Sequence, residues 1–143
     1  SVRLDDFEPS SGQSPGEVIS GVLRALRDDG VKEDGTLEYG GVETLLKFTS
    51  SVSSLASGEK NPVAIAQFFS NSEYSVLFDW DQIVFPTPLR PSMDGTKAYQ
   101  TTKLRDSKKN EWIKVKWGLS LRDKDKDKDG KWLIDTVIVT MIG

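Results

Sequence analysis

The chain has 143 residues, of which 36% are hydrophobic and 29% are charged. This length and composition are typical of one globular domain rather than of a disordered or collagen-like chain. Cysteine and histidine are both absent, which excludes disulfide bonds, thiolate nucleophiles, imidazole bases and histidine-bound metals. We therefore expect an extended arm over residues 1–13, a single domain over residues 14–143 and no cofactor.

The charges are divided unevenly along the chain. Residues 1–96 hold 7 basic and 15 acidic side chains, whereas residues 97–131 hold 12 basic and 6 acidic ones. A basic C-terminal half favours the docking of an anionic partner. The alternative is that lysine is simply a frequent residue on the solvent-facing side and at the edges of antiparallel sheets. Because the whole chain has a net charge of -3, we expect no nucleic acid among the partners.

The first helix is predicted immediately after the arm. Ser14, Pro15 and Glu17 match the pattern of a capping box with proline in the first turn. Apolar residues then follow at helical spacing; they are Val18, Ile19, Val22, Leu23 and Leu26. Asp28, Asp29 and Gly30 are expected to stop this helix, with Gly30 as its C′ residue.

Two further helices are predicted before any strand. Apolar spacing favours a second helix over residues 42–49, and Asn61 is placed to cap a third over residues 62–69. Residues 31–40 are expected to form a loop, and residues 50–57 either extend the second helix or are irregular.

The hydrophobic period changes from 3.6 to 2 residues after position 76. We predict strands over residues 76–85, 97–104, 111–121 and 132–142. In the 111–121 strand the odd-numbered residues are expected to face inward and Lys114 and Lys116 outward. Helices followed by a meander indicate an α+β fold, with three N-terminal helices packed on a curved antiparallel sheet of about four strands.

In their order and spacing, residues 14–29, 41–48, 62–74 and 97–104 resemble the nuclear transport factor 2-like superfamily. Among its members they are most similar to an uncharacterised domain family found in bacteria and plastid-bearing eukaryotes. The resemblance implies a cone-shaped fold, often with a pocket on the concave side and with dimers through the convex sheet face, but it implies little about chemistry. The sequence does not begin with Met, which removal of a plastid transit peptide would explain, and so would ordinary cloning.

The strongest candidates for catalysis are Asp79 and Asp81, which are two residues apart and so share one face of the predicted strand. Two carboxylates this close raise the pKa of one of them and create a general acid or base. With Tyr99, which can hydrogen-bond a small ligand, they define the hypothesis of a lyase- or isomerase-type enzyme. The alternative is a solvated pair of carboxylates with Trp80 packed inside. The catalytic members of the similar superfamily also use a His in the pocket, and this chain has no His. We therefore favour a non-enzymatic domain.

Aromatic residues are numerous enough to line a pocket for a small apolar ligand. The candidates are Tyr74, Trp80, Tyr99 and Trp117, although aromatic residues of this number also fill an ordinary core. We therefore predict a domain that binds either a partner protein, including a second copy through the sheet face, or a small apolar ligand.

Neither a metal site nor a membrane span is expected. Residues 125–130 copy the first half of a calcium-binding loop, but Thr136 stands where the bidentate Glu is needed. The longest nearly apolar stretch, residues 137–142, is far shorter than the ~20 residues that cross a bilayer.

Overall fold

A computed structural model describes residues 7–53, 61–122 and 130–140. In chain order its elements are α1 (Pro15–Leu26), β1 (Gly30–Val31), β2 (Leu37–Glu38), α2 (Gly40–Lys47), α3 (Pro62–Ser70), a 3₁₀ turn (Glu73–Ser75), α4 (Val76–Asp79), β3 (Trp80–Val84), β4 (Arg90–Pro91), β5 (Lys97–Asp106), β6 (Glu111–Arg122) and β7 (Lys131–Thr140). The predicted α+β class is confirmed. The calcium-loop pattern lies largely outside the described residues, because 123–129 are not among them.

Helix α1 begins as predicted and ends earlier than predicted. Ser14 Oγ accepts a hydrogen bond from the backbone N–H of Glu17 at 3.2 Å and caps the helix, and Pro15 occupies its first turn. The expected stop at Asp28, Asp29 and Gly30 follows the helix directly, but Gly30 is not the C′ residue. The helix ends at Leu26 and Arg27 is its C-cap, so Asp28 occupies the C′ position. Asp28 has a φ of 72°, and this left-handed backbone already turns the chain away before Gly30.

The other two predicted helices are present within about two residues of their expected bounds. Helix α3 is capped by Asn61, whose Oδ1 accepts from the backbone N–H groups of Val63 at 3.0 Å and Ala64 at 3.3 Å. Between α1 and α2, the expected loop over residues 31–40 contains a two-residue antiparallel ribbon formed by β1 and β2. Strands of only two residues are too short to show the alternation of apolar and polar residues from which a strand is predicted.

The predicted strand over residues 76–85 is wrong in its first four positions. These residues form α4, and β3 begins only at Trp80. The side chains of Val76, Leu77 and Phe78 are all buried. Three consecutive buried residues cannot alternate between the faces of a half-exposed strand, but they fit a helical turn packed on several sides.

The main sheet has five antiparallel strands in the order β3-β5-β6-β7, with the short β4 also paired to β5. The predicted inward set of β6 is confirmed for Ile113, Val115, Trp117 and Leu119, which are at most 4% exposed. Residues that are paired directly lie on the same face of a sheet. Because Gln100 is paired with Trp117, the even-numbered residues of β5 share this inner face.

The helices pack on the inner face, and large side chains fill the core between them and the sheet. The largest of the core residues buried there include Trp117, Phe48, Phe69, Leu23, Leu77 and Leu104. The indole N–H of Trp117 donates to Thr102 Oγ1 at 2.9 Å, so the polar atom of this buried side chain has a hydrogen-bond partner. Part of the predicted arm packs as well, because the Phe7 ring stacks on Phe48 with 4.6 Å between centroids.

The free side of β7 is joined to the end of α2. Thr49 forms a parallel bridge with Ile134, and the backbone N–H of Ser50 donates to the carbonyl oxygen of Ile134 at 2.9 Å. Asp135 follows at an irregularity in the register and accepts hydrogen bonds from the hydroxyls of Ser50 and Ser120. These contacts cover this part of the edge strand. On the outer face of the sheet, Tyr99, Lys116 and Ile138 are exposed.

Candidate binding surface

The outer face of the main sheet carries a group of lysines. The strand register places Lys103 directly opposite Lys114, and Lys116 opposite Thr101. Tyr99 and Ile138 lie on the same face, and each is 50% exposed. We call these six residues, Tyr99, Thr101, Lys103, Lys114, Lys116 and Ile138, the basic sheet face.

The lysines of the basic sheet face form no ion pair within the described part of the chain. The ion pairs found there join Lys47 to Glu8, Arg105 to Asp81, Lys108 to Asp79 and Arg122 to Asp135. None of them involves Lys103, Lys114 or Lys116. Like charges directly opposite each other in a sheet are destabilising. The fold therefore tolerates an unfavourable pair at Lys103 and Lys114 that a carboxylate from another molecule would relieve.

A groove of about 500 Å³ opens at one end of this face. Gly118 lies between Tyr99 on β5 and Thr136 on β7 in one row across three strands. A Cβ at Gly118 would lie 2.5 Å from Thr136 Oγ1 and 3.9 Å from Tyr99 Cδ1. Thr136 thus packs so closely on position 118 that only glycine fits there, and Arg90 and Lys116 are the cations that line the groove.

The acidic candidates are held apart from this groove. Asp79 ends α4, and its Oδ1 lies 3.2 Å from Lys108 Nζ. Asp81 lies at a register irregularity in β3, and its Oδ2 lies 3.0 Å from Arg105 Nη1. Since Asp79 belongs to a helix, the two carboxylates do not share one strand face as the sequence analysis expected. Tyr99 lines the groove, whereas Asp79 lines a separate small cavity.

The four aromatic candidates have different surroundings. Trp80 is 6% exposed and donates its indole N–H to the carbonyl oxygen of Leu23 at 3.0 Å. Tyr74 stacks on Phe69 at 5.3 Å, and its hydroxyl donates to the carbonyl oxygen of Val137 at 3.2 Å. Trp117 lines the floor of the groove although its side chain belongs to the core, and Tyr99 forms a wall. The structure therefore brings only Tyr99 and Trp117 together.

Sequence analysis gave Asp29 no role beyond ending a helix. Its Oδ2 accepts a hydrogen bond from the backbone N–H of Val42 at 2.9 Å. Burial raises the pKa of Asp29 from its ordinary value of 3.8 to about 6, against the lowering effect of the hydrogen bonds from Val42 and Gly41. It lines a polar cavity of about 190 Å³ together with Asp79 and Lys108. Only a contact between distant segments defines this site, so no spacing in the sequence signals it.

A larger cleft of about 1120 Å³ separates α1 from the segment of residues 85–89. Phe85, Pro86, Pro88 and Leu89 form its apolar side, and Arg24 lies on the opposite side. The segment is held by Gln100, whose Nε2 donates to the carbonyl oxygen of Thr87 at 2.9 Å. This cleft is a second concave surface with mostly apolar walls.

Within the described ranges, no three Asp or Glu side chains are arranged to hold a metal ion. None of the helices described there is long and apolar enough to cross a membrane. Comparisons with protein-family models, with curated proteins and with solved structures found no match to this chain.

Proposed function

We propose that this protein is a non-enzymatic binding domain whose basic sheet face docks an acidic segment of a partner protein. The observation that carries the proposal is the pairing of Lys103 with Lys114 on an open face. Natural proteins depart from local stability rules mainly at functional sites. A carboxylate between these lysines would convert the repulsion into two favourable contacts.

The other residues of the face support a protein as the partner. Tyr99 and Ile138 expose apolar surface beside the lysines, and apolar anchors surrounded by polar groups are typical of protein interfaces. Complementary charge speeds association and fixes the orientation of such partners. A second copy of the chain, docked symmetrically through this same face, is the weaker candidate. In a twofold dimer the same patch meets itself, so the lysines would repel each other.

We also propose that the fold is of the nuclear transport factor 2-like type. The support is the order of elements, with helices first and an antiparallel sheet afterwards, and the packing of those helices on one face of the sheet. The cone shape, the related family and the plastid location stay predictions of the sequence resemblance.

A small apolar ligand in the cleft beside α1 is the second candidate function. The support for this candidate is the apolar side of the cleft, which is formed by Phe85, Pro86, Pro88 and Leu89. The catalytic alternative has less support. Asp79 and Asp81 each form an ion pair with a basic side chain, and Asp79 lines a cavity that does not include Tyr99.

The proposal is tested by reversing two charges on the basic sheet face. A fluorescein-labelled poly-glutamate peptide serves as the probe, and its anisotropy is titrated with the wild-type protein and with the Lys114→Glu/Lys116→Glu variant. We expect binding to weaken by about tenfold or more. The thermal midpoint should not fall, because Lys116 is exposed and Lys114→Glu places an opposite charge across from Lys103. The control is Arg24→Glu, which makes the same kind of charge change on α1 and should leave binding nearly intact. Equal binding by the wild type and the double variant would overturn the proposal.

A further inference from the structure

We infer that the groove over Gly118 anchors an aromatic side chain of the partner, and that this side chain is flanked by carboxylates. This inference rests on the proposed function and specifies the partner segment that the basic sheet face would select. It follows from three properties of the groove: its floor, its walls and its charge.

Gly118 and Thr136 form the floor of the groove, whose volume is about 500 Å³. A Cβ at position 118 would lie 2.5 Å from Thr136 Oγ1, which is closer than van der Waals contact allows. A larger residue at position 118 would therefore displace Thr136 and change the shape of the floor. Concave sites of roughly 300–1,000 Å³ are the usual size for enclosing a small organic group, so an aromatic side chain fits this space.

The walls favour an aromatic ring over a charged or polar group. Tyr99 and Ile138 line the groove and are each 50% exposed, and Pro88 completes the apolar surface. The exposed Tyr99 ring offers a partner for stacked or edge-to-face packing, the preferred geometries of aromatic pairs. Covering these side chains would also remove apolar surface from water.

The charge at the groove determines what flanks the ring. Arg90 is paired with Tyr99 in the register, and Lys116 is paired with Ile138. A cation is thus placed beside each apolar wall. The hydroxyls of Thr101 and Thr136 also line the groove and can donate to carboxylate oxygens. A segment with acidic residues on both sides of an aromatic residue matches all these groups.

The test compares two labelled peptides, Glu-Glu-Trp-Glu-Glu and Glu-Glu-Ala-Glu-Glu, by fluorescence anisotropy. We expect the wild-type protein to bind the Trp peptide about tenfold more tightly than the Ala peptide. Gly118→Ala displaces Thr136 from the floor and should abolish this preference. Gly40→Ala is the matched control, because nothing lies within 4 Å of a Cβ at that position, and it should keep the preference.

A second variant keeps the test valid if Gly118→Ala does not fold. Tyr99→Ser removes the ring wall on an exposed residue and should also abolish the preference for the Trp peptide. Equal affinity of both peptides for the wild-type protein would overturn this inference and leave the basic-face proposal standing. Retention of the preference in both folded variants would overturn it too, whereas failure of the wild-type protein to bind either peptide would overturn both proposals.

Discussion

Asp29 caps helix α2 although it lies 13 residues before Val42 in the chain. Its Oδ2 accepts a hydrogen bond from the backbone N–H of Val42 at 2.9 Å. Tyr39, which stands at the N-cap position of this helix, makes no side-chain cap. The first N–H groups of a helix have no partner within the helix. A partly buried carboxylate therefore substitutes for the local cap and ties the end of α1 to the start of α2.

We predict that this contact makes stability depend on pH. Burial raises the pKa of Asp29 to about 6 in the folded protein, while Lys32 lowers it and Glu38 raises it; Asp79 and Lys108 also line its cavity. Because the folded state holds the proton more tightly than the unfolded state, Asp29's contribution to the unfolding free energy is greatest below about pH 4. It is lost as the pH rises to about 6.

The measurement is urea denaturation of the wild type and of Asp29→Asn across this pH range. The Asn side chain keeps an acceptor for the amide of Val42 but does not titrate. The difference in unfolding free energy between the two proteins should therefore shift steadily against the wild type between about pH 4 and pH 6. A constant difference across this range would show that Asp29 titrates in the same way in the folded and unfolded states.

Neighbouring positions on β6 should respond very differently to truncation. Trp117 is 2% exposed and bonded to Thr102, so Trp117→Ala should lower the unfolding free energy by ~3–5 kcal/mol through lost burial and the cavity left behind. Lys116 lies on the outer face of the sheet, so Lys116→Ala should lower the unfolding free energy by less than about 0.5 kcal/mol. Equal losses in chemical denaturation would mean that the strand faces the other way, since a register shift of one residue exchanges the two roles.

The sequence predicts those parts of the fold that depend on local chemistry. The capping residues Ser14 and Asn61 and the alternation along β6 are local signals, and the structure confirms the elements that they predict. The failures arise where packing between distant segments decides. Residues 76–79 are rich in strand-forming types, yet burial on several sides makes them helical.

The candidate site, too, has a part that local sequence patterns predict and a part that depends on contacts between strands. Lys114 and Lys116 are visible in the sequence as the outward residues of an alternating strand. Their pairing with Lys103 and Thr101 depends on the register between β5 and β6, which the sequence analysis left open. The groove depends further on Gly118 meeting Thr136 across two strands, and no local pattern marks that glycine as a floor.

The most direct test of the account is the Lys103→Glu substitution, measured for both stability and binding. It replaces a pair of like charges opposite Lys114 with a pair of opposite charges. The unfolding free energy should therefore rise by about 0.2–1 kcal/mol, whereas binding of the labelled poly-glutamate peptide should weaken by about tenfold. A gain in stability combined with a loss of binding is the result that the basic sheet face predicts. Unchanged or tighter binding of the peptide by Lys103→Glu would contradict it.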